Sequence, residues 1–392
     1  MKRVLQSYHI RNYNFKLIAY AVILTVIGIQ IIGSANRDYQ SKQIVGLVAG
    51  LIIMVGVSLV SYSFVLRFSW IIYGLAVLLL VLVRFAGREV NNARRWFEFS
   101  GVRFQPSEIC KVFLILFFAW FFMKFHDHIN TVRILLLSLA LIAVPLYFIF
   151  KQPDLSTTIV TAFIFFALLF IAGLSYKIIL GVLAVSIPAV MVLLSLVLSS
   201  DQTILNEYQY LRIASWLHPE EYPETAYQQL NSITAIGSGQ LFGKGLNNTD
   251  VTSVKMGGFI SEPQTDFIFA VAGEETGFVG SAAIVILALL ITLECILTAR
   301  KAKDLAGKLI CCGMASFIGF QTFVNVGVTT GLLPNTGLPL PFVSYGLTSL
   351  VTLFIGLGLV LNVGLQCVRN SNRVVQEKDD FVFEEPKRRG LL

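Results

Sequence analysis

Apolar runs of about 18 to 25 residues, long enough to cross roughly 30 Å of hydrocarbon as helix, dominate the chain. They fall near 15 to 34, 43 to 61, 68 to 86, 107 to 125, 132 to 150, 155 to 173, 177 to 199, 267 to 298, 305 to 331 and 343 to 367. The pattern predicts an all-α polytopic membrane protein with about ten transmembrane helices. One long polar stretch, 200 to 266, separates the seventh span from the eighth. It holds too many tyrosines and leucines for a Gly/Ser linker, so short amphipathic helices lying on the membrane surface are expected there. Pro145 and Pro188 are placed to kink the fifth and seventh helices. Residues 1 to 368 read as the transmembrane domain, and 369 to 392, which lack a hydrophobic period, as a disordered tail.

Composition agrees: 56% of the 392 residues are hydrophobic and 14% charged, more apolar surface than a soluble domain buries. Cys110, Cys295, Cys311, Cys312 and Cys367 lie in or at the ends of the spans and read as small apolar packers rather than disulfide partners. The four histidines show no metal-ligand spacing. The first apolar run ends in Gly33-Ser34-Ala35, a pattern shared with signal peptides; the many spans that follow favour an uncleaved helix.

Lysine and arginine counts set the orientation. The larger share of the 30 falls in segments that share a side with the N-terminus, which predicts both termini in the cytoplasm and the 200 to 266 loop outside. Five outer basic residues nevertheless cluster between Arg84 and Arg103. They either pair with Glu89 and Glu98 and anchor the loop to headgroups, or receive an anionic ligand such as a pyrophosphate.

Three further features carry candidate chemistry. Asp266 stands at the start of the eighth span, as a helix cap or as a reactive carboxylate at the membrane surface. Glu108 and Lys111 lie three apart on one face of the fourth helix, as a structural ion pair or as part of a polar cavity. Asp154 suits the N-cap of the sixth helix. The glycines at 237, 239, 243 and 245 fail the phosphate-loop pattern, because Ser238 replaces its first glycine and Gly245 follows Lys244; close backbone packing is the expected use. The proline-rich segment GLLPNTGLPLPFVSYG, at 331 to 346, is an irregular backbone at membrane depth that protein or a wet cavity must satisfy.

The stretch SEPQTDFIFA (261 to 270) followed by GEETGFVG closely resembles the SEDS family (shape, elongation, division and sporulation), that is, RodA and FtsW. The resemblance extends through NNARRWFEFSGVRFQPSEICK (91 to 111), QPDLST (152 to 157), 227 to 245, and NVGVTTGLLPNTGLPLPFVSYG (325 to 346). AIGSG, GKG and TGLPLPF look more like RodA than FtsW. The resemblance implies a peptidoglycan glycosyltransferase of the bacterial cytoplasmic membrane, polymerising lipid II into nascent glycan strands at the outer face during cell elongation. By the family's motif, Asp266 matches the essential acid, Glu108 and Lys111 the polar pair of helix four, and Arg94, Arg95, Asp154, Glu262 and Ser344 other sensitive or pocket positions. Arg94, Arg95 and Lys111 are then expected to hold the substrate's pyrophosphate, with a divalent cation, Mg or Mn, as a candidate helper and no intrinsic metal site. A class B penicillin-binding protein is the expected partner, alongside membrane lipids and without nucleic acid. Alternatives are a lipid II flippase, a division or sporulation paralogue, and a noncatalytic scaffold. Asn92, Asn231, Ser261 and Leu347 depart from the usual family residues, and Leu347, standing for a glycine, is expected to reshape the last outer turn.

Overall fold

A computed structural model describes residues 12–90, 93–99, 102–178, 207–247 and 257–367, with a few isolated positions between. In chain order the long helices are α1 (Phe15–Ala35), α2 (Arg37–Ser58), α4 (Ser69–Ala86), α5 (Pro106–Lys124), α6 (Val132–Lys151), α7 (Leu155–Ile171), α10 (Ile268–Ala299), α11 (Leu305–Thr329) and α12 (Leu347–Leu365). A short α3 (Tyr62–Val65) leads into α4, and α8 (Glu207–Leu217) and α9 (Pro223–Ser238) follow α7. Eight described helices are long and apolar enough to cross a membrane, counting Tyr62–Ala86 as one. α7, at 17 residues, sits at the short end of the spanning range. The predicted span 177 to 199, with Pro188, and the tail after Cys367 lie largely or wholly outside the described residues.

Three helices form the centre. In α5 and α12, 78% of the most apolar window is buried by protein, and in α11 67%, against 22% in α6. α5 earns this position through aromatic packing: Phe117, Phe118, Phe121 and Phe122 are all buried, and Phe118 meets Phe165 of α7 edge to face at 4.9 Å. α2 reaches α12 through Gly46-x-x-x-Gly50, the small-residue spacing that lets membrane helices approach closely. Leu347 and Phe354 fill the space that side chains at those two positions would need. Leu347, the expected disturbance of the last outer turn, thus opens α12 and packs against α2.

Hydrogen bonds gather the loops at two ends. At one end Tyr62 donates its hydroxyl to Asp304 Oδ2 (2.8 Å), Lys303 donates to Gln366 Oε1 (2.9 Å), and Asn130 donates to the Gly173 carbonyl (3.1 Å). At the other end lie the 88 to 104 segment, α8, α9, Asp266 and the proline-rich segment.

Two local features differ from the all-helical expectation. The 84 to 103 loop folds into a small antiparallel sheet, β1 (Arg88–Val90), β2 (Ala93–Phe99) and β3 (Val102–Phe104), in the order β1-β2-β3. Register pairs Glu98 with Arg103 and Phe97 with Phe104, and the aromatic residues Trp96, Phe97, Phe99 and Phe104 are types enriched in strands. α10 also bends at Gly277 (φ 64°, ψ −161°). The bend admits the 239 to 245 loop: Lys244 N–H donates to the Glu274 carbonyl, Gly245 N–H to that of Glu275, and Phe278 N–H to that of Gln240 (2.8–3.0 Å). Lys244 Nζ then closes on Glu274 Oε1 at 2.8 Å. The glycine-rich loop serves backbone packing, as its failed phosphate-loop spacing predicts.

A Cβ at Gly277 would stand 2.4 Å from the Gly243 nitrogen, whereas one at Gly74 would meet nothing within 4 Å. Gly277→Ala should therefore lower stability by about 1–3 kcal/mol, read as a fall in Tm in detergent, while Gly74→Ala leaves Tm unchanged or slightly raised.

Candidate active site

Asp266 stands two residues before α10, and its surroundings come from four directions. Asn325 of α11 donates through Nδ2 to the Asp266 carbonyl (2.8 Å) and to the Leu338 carbonyl (2.6 Å). Ser344 donates its hydroxyl to the Thr265 carbonyl and accepts from Leu340 N–H, both at 2.7 Å. Tyr345 N–H donates to the Gln264 carbonyl (2.9 Å). Gln43 of α2, fully buried, donates to the Ser344 carbonyl (3.1 Å). The proline-rich segment thus meets the hydrogen-bonding demand of irregular backbone at this depth, and it fixes the chain just ahead of α10.

No side chain caps the start of α10, so the capping role open to Asp266 is not the one it takes. Its carboxylate instead faces Gly337 and Arg212. A Cβ on Gly337, whose φ is +71°, would lie 3.1 Å from Asp266 Oδ2 and 3.5 Å from Arg212 Nη1. Glycine therefore serves twice there, for the backbone conformation and for the space over the acid. Burial raises the Asp266 carboxyl above the ordinary carboxylate range. The guanidinium groups of Arg212 and Arg95 pull it back down, and Asp154 and Glu262 add to the rise. The residue as a whole still keeps partial solvent exposure.

Arg95 is locked by the start of α7: its Nε donates to the Gln152 carbonyl (2.9 Å), and Nη2 donates to the Pro153 carbonyl. Asp154 takes the predicted N-cap position, accepting from Thr157 N–H at 3.1 Å, while its charge is still felt at Asp266. Glu262 opens a turn with φ +55°, closed by Thr265 N–H onto its carbonyl (3.1 Å), and accepts from Gln264 Nε2 (2.7 Å). The outer arginines do not act as one cluster. Arg84 donates to the Lys151 carbonyl (2.8 Å), Arg88 pairs with Glu98, and among the described side chains of this loop it is Arg95 whose charge is felt at the acid. The Arg94 side chain lies outside the described residues.

Glu108 and Lys111 do not line a cleft. Their side chains are 1% and 0% exposed and pair at 2.7 Å. Lys111 also donates to Gln321 Oε1 (2.7 Å) and sits 4.3 Å from the Phe317 ring centre, while Ser349 donates to Glu108 Oε2 (3.0 Å). Gln321 passes the link on, donating to the Pro339 carbonyl at 2.9 Å. The pair braces the proline-rich segment from beneath. Among the described residues no three His, Cys, Asp or Glu side chains converge as a metal site would require.

The family model for FtsW, RodA and SpoVE, a cell cycle protein family, matches residues 9–367. The chain belongs to the SEDS family. A probable peptidoglycan glycosyltransferase FtsW of Geobacter metallireducens is 32% identical to this SEDS protein over 374 residues, covering 90% of this chain and 95% of the relative. The peptidoglycan glycosyltransferase MrdB of Escherichia coli is 34% identical, covering 83% and 85%. Stage V sporulation protein E of Bacillus subtilis is 31% identical, covering 88% and 95%. Among solved structures, a chain from a peptidoglycan synthase complex that coordinates polymerization and crosslinking superposes with a TM-score of 0.75 at 29% identity, covering 90% of this chain and 97% of that one. The rod shape determining protein RodA of Thermus thermophilus gives 0.65 at 28% identity, covering 91% and 98%.

Sequence reasoning on this SEDS protein passed over Arg212, Gly337, Asn325 and Gln321. Arg212 sits among aromatic residues of an amphipathic helix, and no spacing ties it to an acid more than fifty positions later. Gln321 and Asn325 carried a signal, polar side chains four apart inside an apolar span.

A buried ion pair with a bracing role makes a stability prediction. Removing one partner leaves a bare charge, at a cost of about 3–5 kcal/mol, whereas replacing both is close to neutral. Lys111→Met should therefore lower Tm in detergent more than the Glu108→Leu/Lys111→Met double variant does.

Proposed function

We propose that this SEDS protein is a peptidoglycan glycosyltransferase that polymerises lipid II at the outer face of the cytoplasmic membrane, with Asp266 as its catalytic residue. Relatives bearing that activity in their names align over more than four fifths of the chain. The observation that carries the assignment is the Asp266 carboxylate, unused as a helix cap and bracketed by Arg212 and Arg95.

The reaction joins the 4-hydroxyl of an acceptor GlcNAc to C1 of a MurNAc carrying undecaprenyl pyrophosphate. The hydroxyl oxygen attacks C1, the C1–O bond to the pyrophosphate breaks with inversion from α to β, and Asp266 takes the hydroxyl proton. One base and one stabilised leaving group suffice for a single displacement. Arg95 and Arg212 meet the charge that develops on the departing pyrophosphate; Arg95 does so from a side chain already fixed, so little reorganisation accompanies the reaction. Arg94, in the neighbouring register position of β2, is the third candidate cation. Glu262, Ser344 and Asp154 shape the rim, and Glu108 with Lys111 holds it in place. The cavity beside Arg212, shared with Ser156 and Thr336, is only about 20 Å³, so a lipid-linked disaccharide enters by displacing α8.

A divalent cation, Mg or Mn, belongs to the proposal as a companion of the pyrophosphate. With no three protein ligands converging among the described residues, the substrate's phosphates would hold it. Chelation with EDTA tests this, with loss of polymerisation restored by either ion as the supporting result. We assign the elongation role from the RodA-like AIGSG, GKG and TGLPLPF motifs, and complementation of an elongation-defective strain, set against a division-defective one, tests that branch. The likeness to a chain from a synthase complex supports a class B penicillin-binding protein as partner, since no described part of this chain offers a transpeptidase domain.

Asp266→Asn should cut lipid II polymerisation by about 10²–10⁴-fold, the worth of a general base, without lowering Tm, because no cap is lost. Polymerisation at the parent rate would refute the assignment, and a detergent assay with the partner present also separates polymerase from flippase. Because burial raises the carboxyl, activity should fall with decreasing pH while still above the ordinary carboxylate range, where the base takes up its proton.

A further inference from the structure

We infer that the loop between α10 and α11, at the end of the molecule opposite Asp266, binds the headgroup of an anionic phospholipid. The two regions stand at opposite ends of α10, which is 32 residues long and bent at Gly277. Lysine and arginine counts put this end in the cytoplasm, where the leaflet carries anionic lipid.

The loop forms an open surface groove of about 460 Å³ lined by Arg300, Lys303, Asp304 and Lys308, with Ala299 and Leu305 at its edges. Arg300, Lys303 and Lys308 are all exposed. Asp304 offsets only one of these three charges; its Oδ1 accepts from Gly307 N–H (2.7 Å) and its Oδ2 from the Tyr62 hydroxyl (2.8 Å). Lys303 is held in place, donating to Gln366 Oε1 at 2.9 Å with its ammonium 5.3 Å from the Tyr62 ring centre.

Three cations against one carboxylate leave this groove with a net positive charge. The N-terminus of α11 already carries the positive end of the helix dipole, its first turn holds no acidic residue beyond the Asp304 cap, and Lys303 and Lys308 flank it. A phosphate in the groove complements that excess charge. The neighbouring surface fits the rest of a lipid: Leu289, Leu293, Ile296 and Leu297 of α10 are exposed apolar side chains running from the groove into the membrane zone. A charged groove at the end of an apolar stripe matches an amphiphile with a phosphate head, and retention of positive charge inside does not by itself require a groove.

Native mass spectrometry of the full chain in detergent, titrated with cardiolipin, tests this. One saturable lipid is expected. Arg300→Gln/Lys308→Gln should weaken it roughly thirtyfold, about 1 kcal/mol for each charge, while the charge-preserving Arg300→Lys/Lys308→Arg retains it and so separates charge loss from misfolding. Lys124→Gln/Arg133→Gln, two exposed cations at the same end, should leave binding unchanged. Equal weakening by both charge-removing pairs, or no saturation, would reduce the effect to diffuse attraction and overturn the proposal. Displacement of the lipid by soluble pyrophosphate alone would likewise overturn it, by making a free phosphate the occupant.

Discussion

Asn325 holds the arrangement together. Its amide spans two carbonyls that no regular helix satisfies, those of Asp266 and Leu338, and so ties the entry to α10 to the proline-rich segment that faces it. An unpaired carbonyl buried at this depth costs several kcal/mol, and the same two bonds decide where the Asp266 side chain stands. With its backbone fixed in a non-helical turn, Asp266 does not fold back to cap α10. Its carboxylate is presented to Gly337 and the two guanidinium groups instead.

The brace beneath that contact explains how charged residues persist inside the protein. Lys111 is fully buried, yet it has an acid, an amide and an aromatic face around it, so the low dielectric strengthens its partners rather than stranding its charge. Gln321 carries this order up to Pro339, one residue from the carbonyl that Asn325 holds. Four elements, α5, α11, α12 and the proline-rich segment, are thereby coupled in a polar network under the site. Nearby, α8 and α9 rest on the end of α11 closest to the site through Trp216, Gln229 and Ser232.

Much of this was legible in the sequence, for identifiable reasons. Hydrophobic run length locates α1, α4, α5, α6, α10, α11 and α12 to within a few residues, because hydrocarbon thickness leaves little choice of length. It misplaced the start of α2, which begins at Arg37 rather than near 43, since Asn36 caps it and charged residues are welcome at a membrane surface. The β-sheet at 88 to 104 stands where the sequence reads as an interfacial loop, because RWFEF has no strict alternation to mark a strand and only its aromatic residues favour one. Asp266 was legible as an acid at a helix entrance, and its two readings, cap and reactive group, were separable only by geometry. Glu108 and Lys111 were legible as a pair, but no periodicity reveals that Gln321 would close over them. Arg212 was invisible, because its nearness to Asp266 depends on how a long surface segment folds back.

The central claim is that the Asp266 carboxylate titrates above the ordinary range because burial outweighs the pull of Arg212 and Arg95. Difference infrared spectroscopy of the protein in nanodiscs, parent minus Asp266→Asn, reads the carboxyl band of this one residue across pH. The account predicts a midpoint above the ordinary carboxylate range, moved further upward in Arg212→Gln because a lowering charge is gone. A midpoint within the ordinary range, or one indifferent to Arg212→Gln, would contradict it.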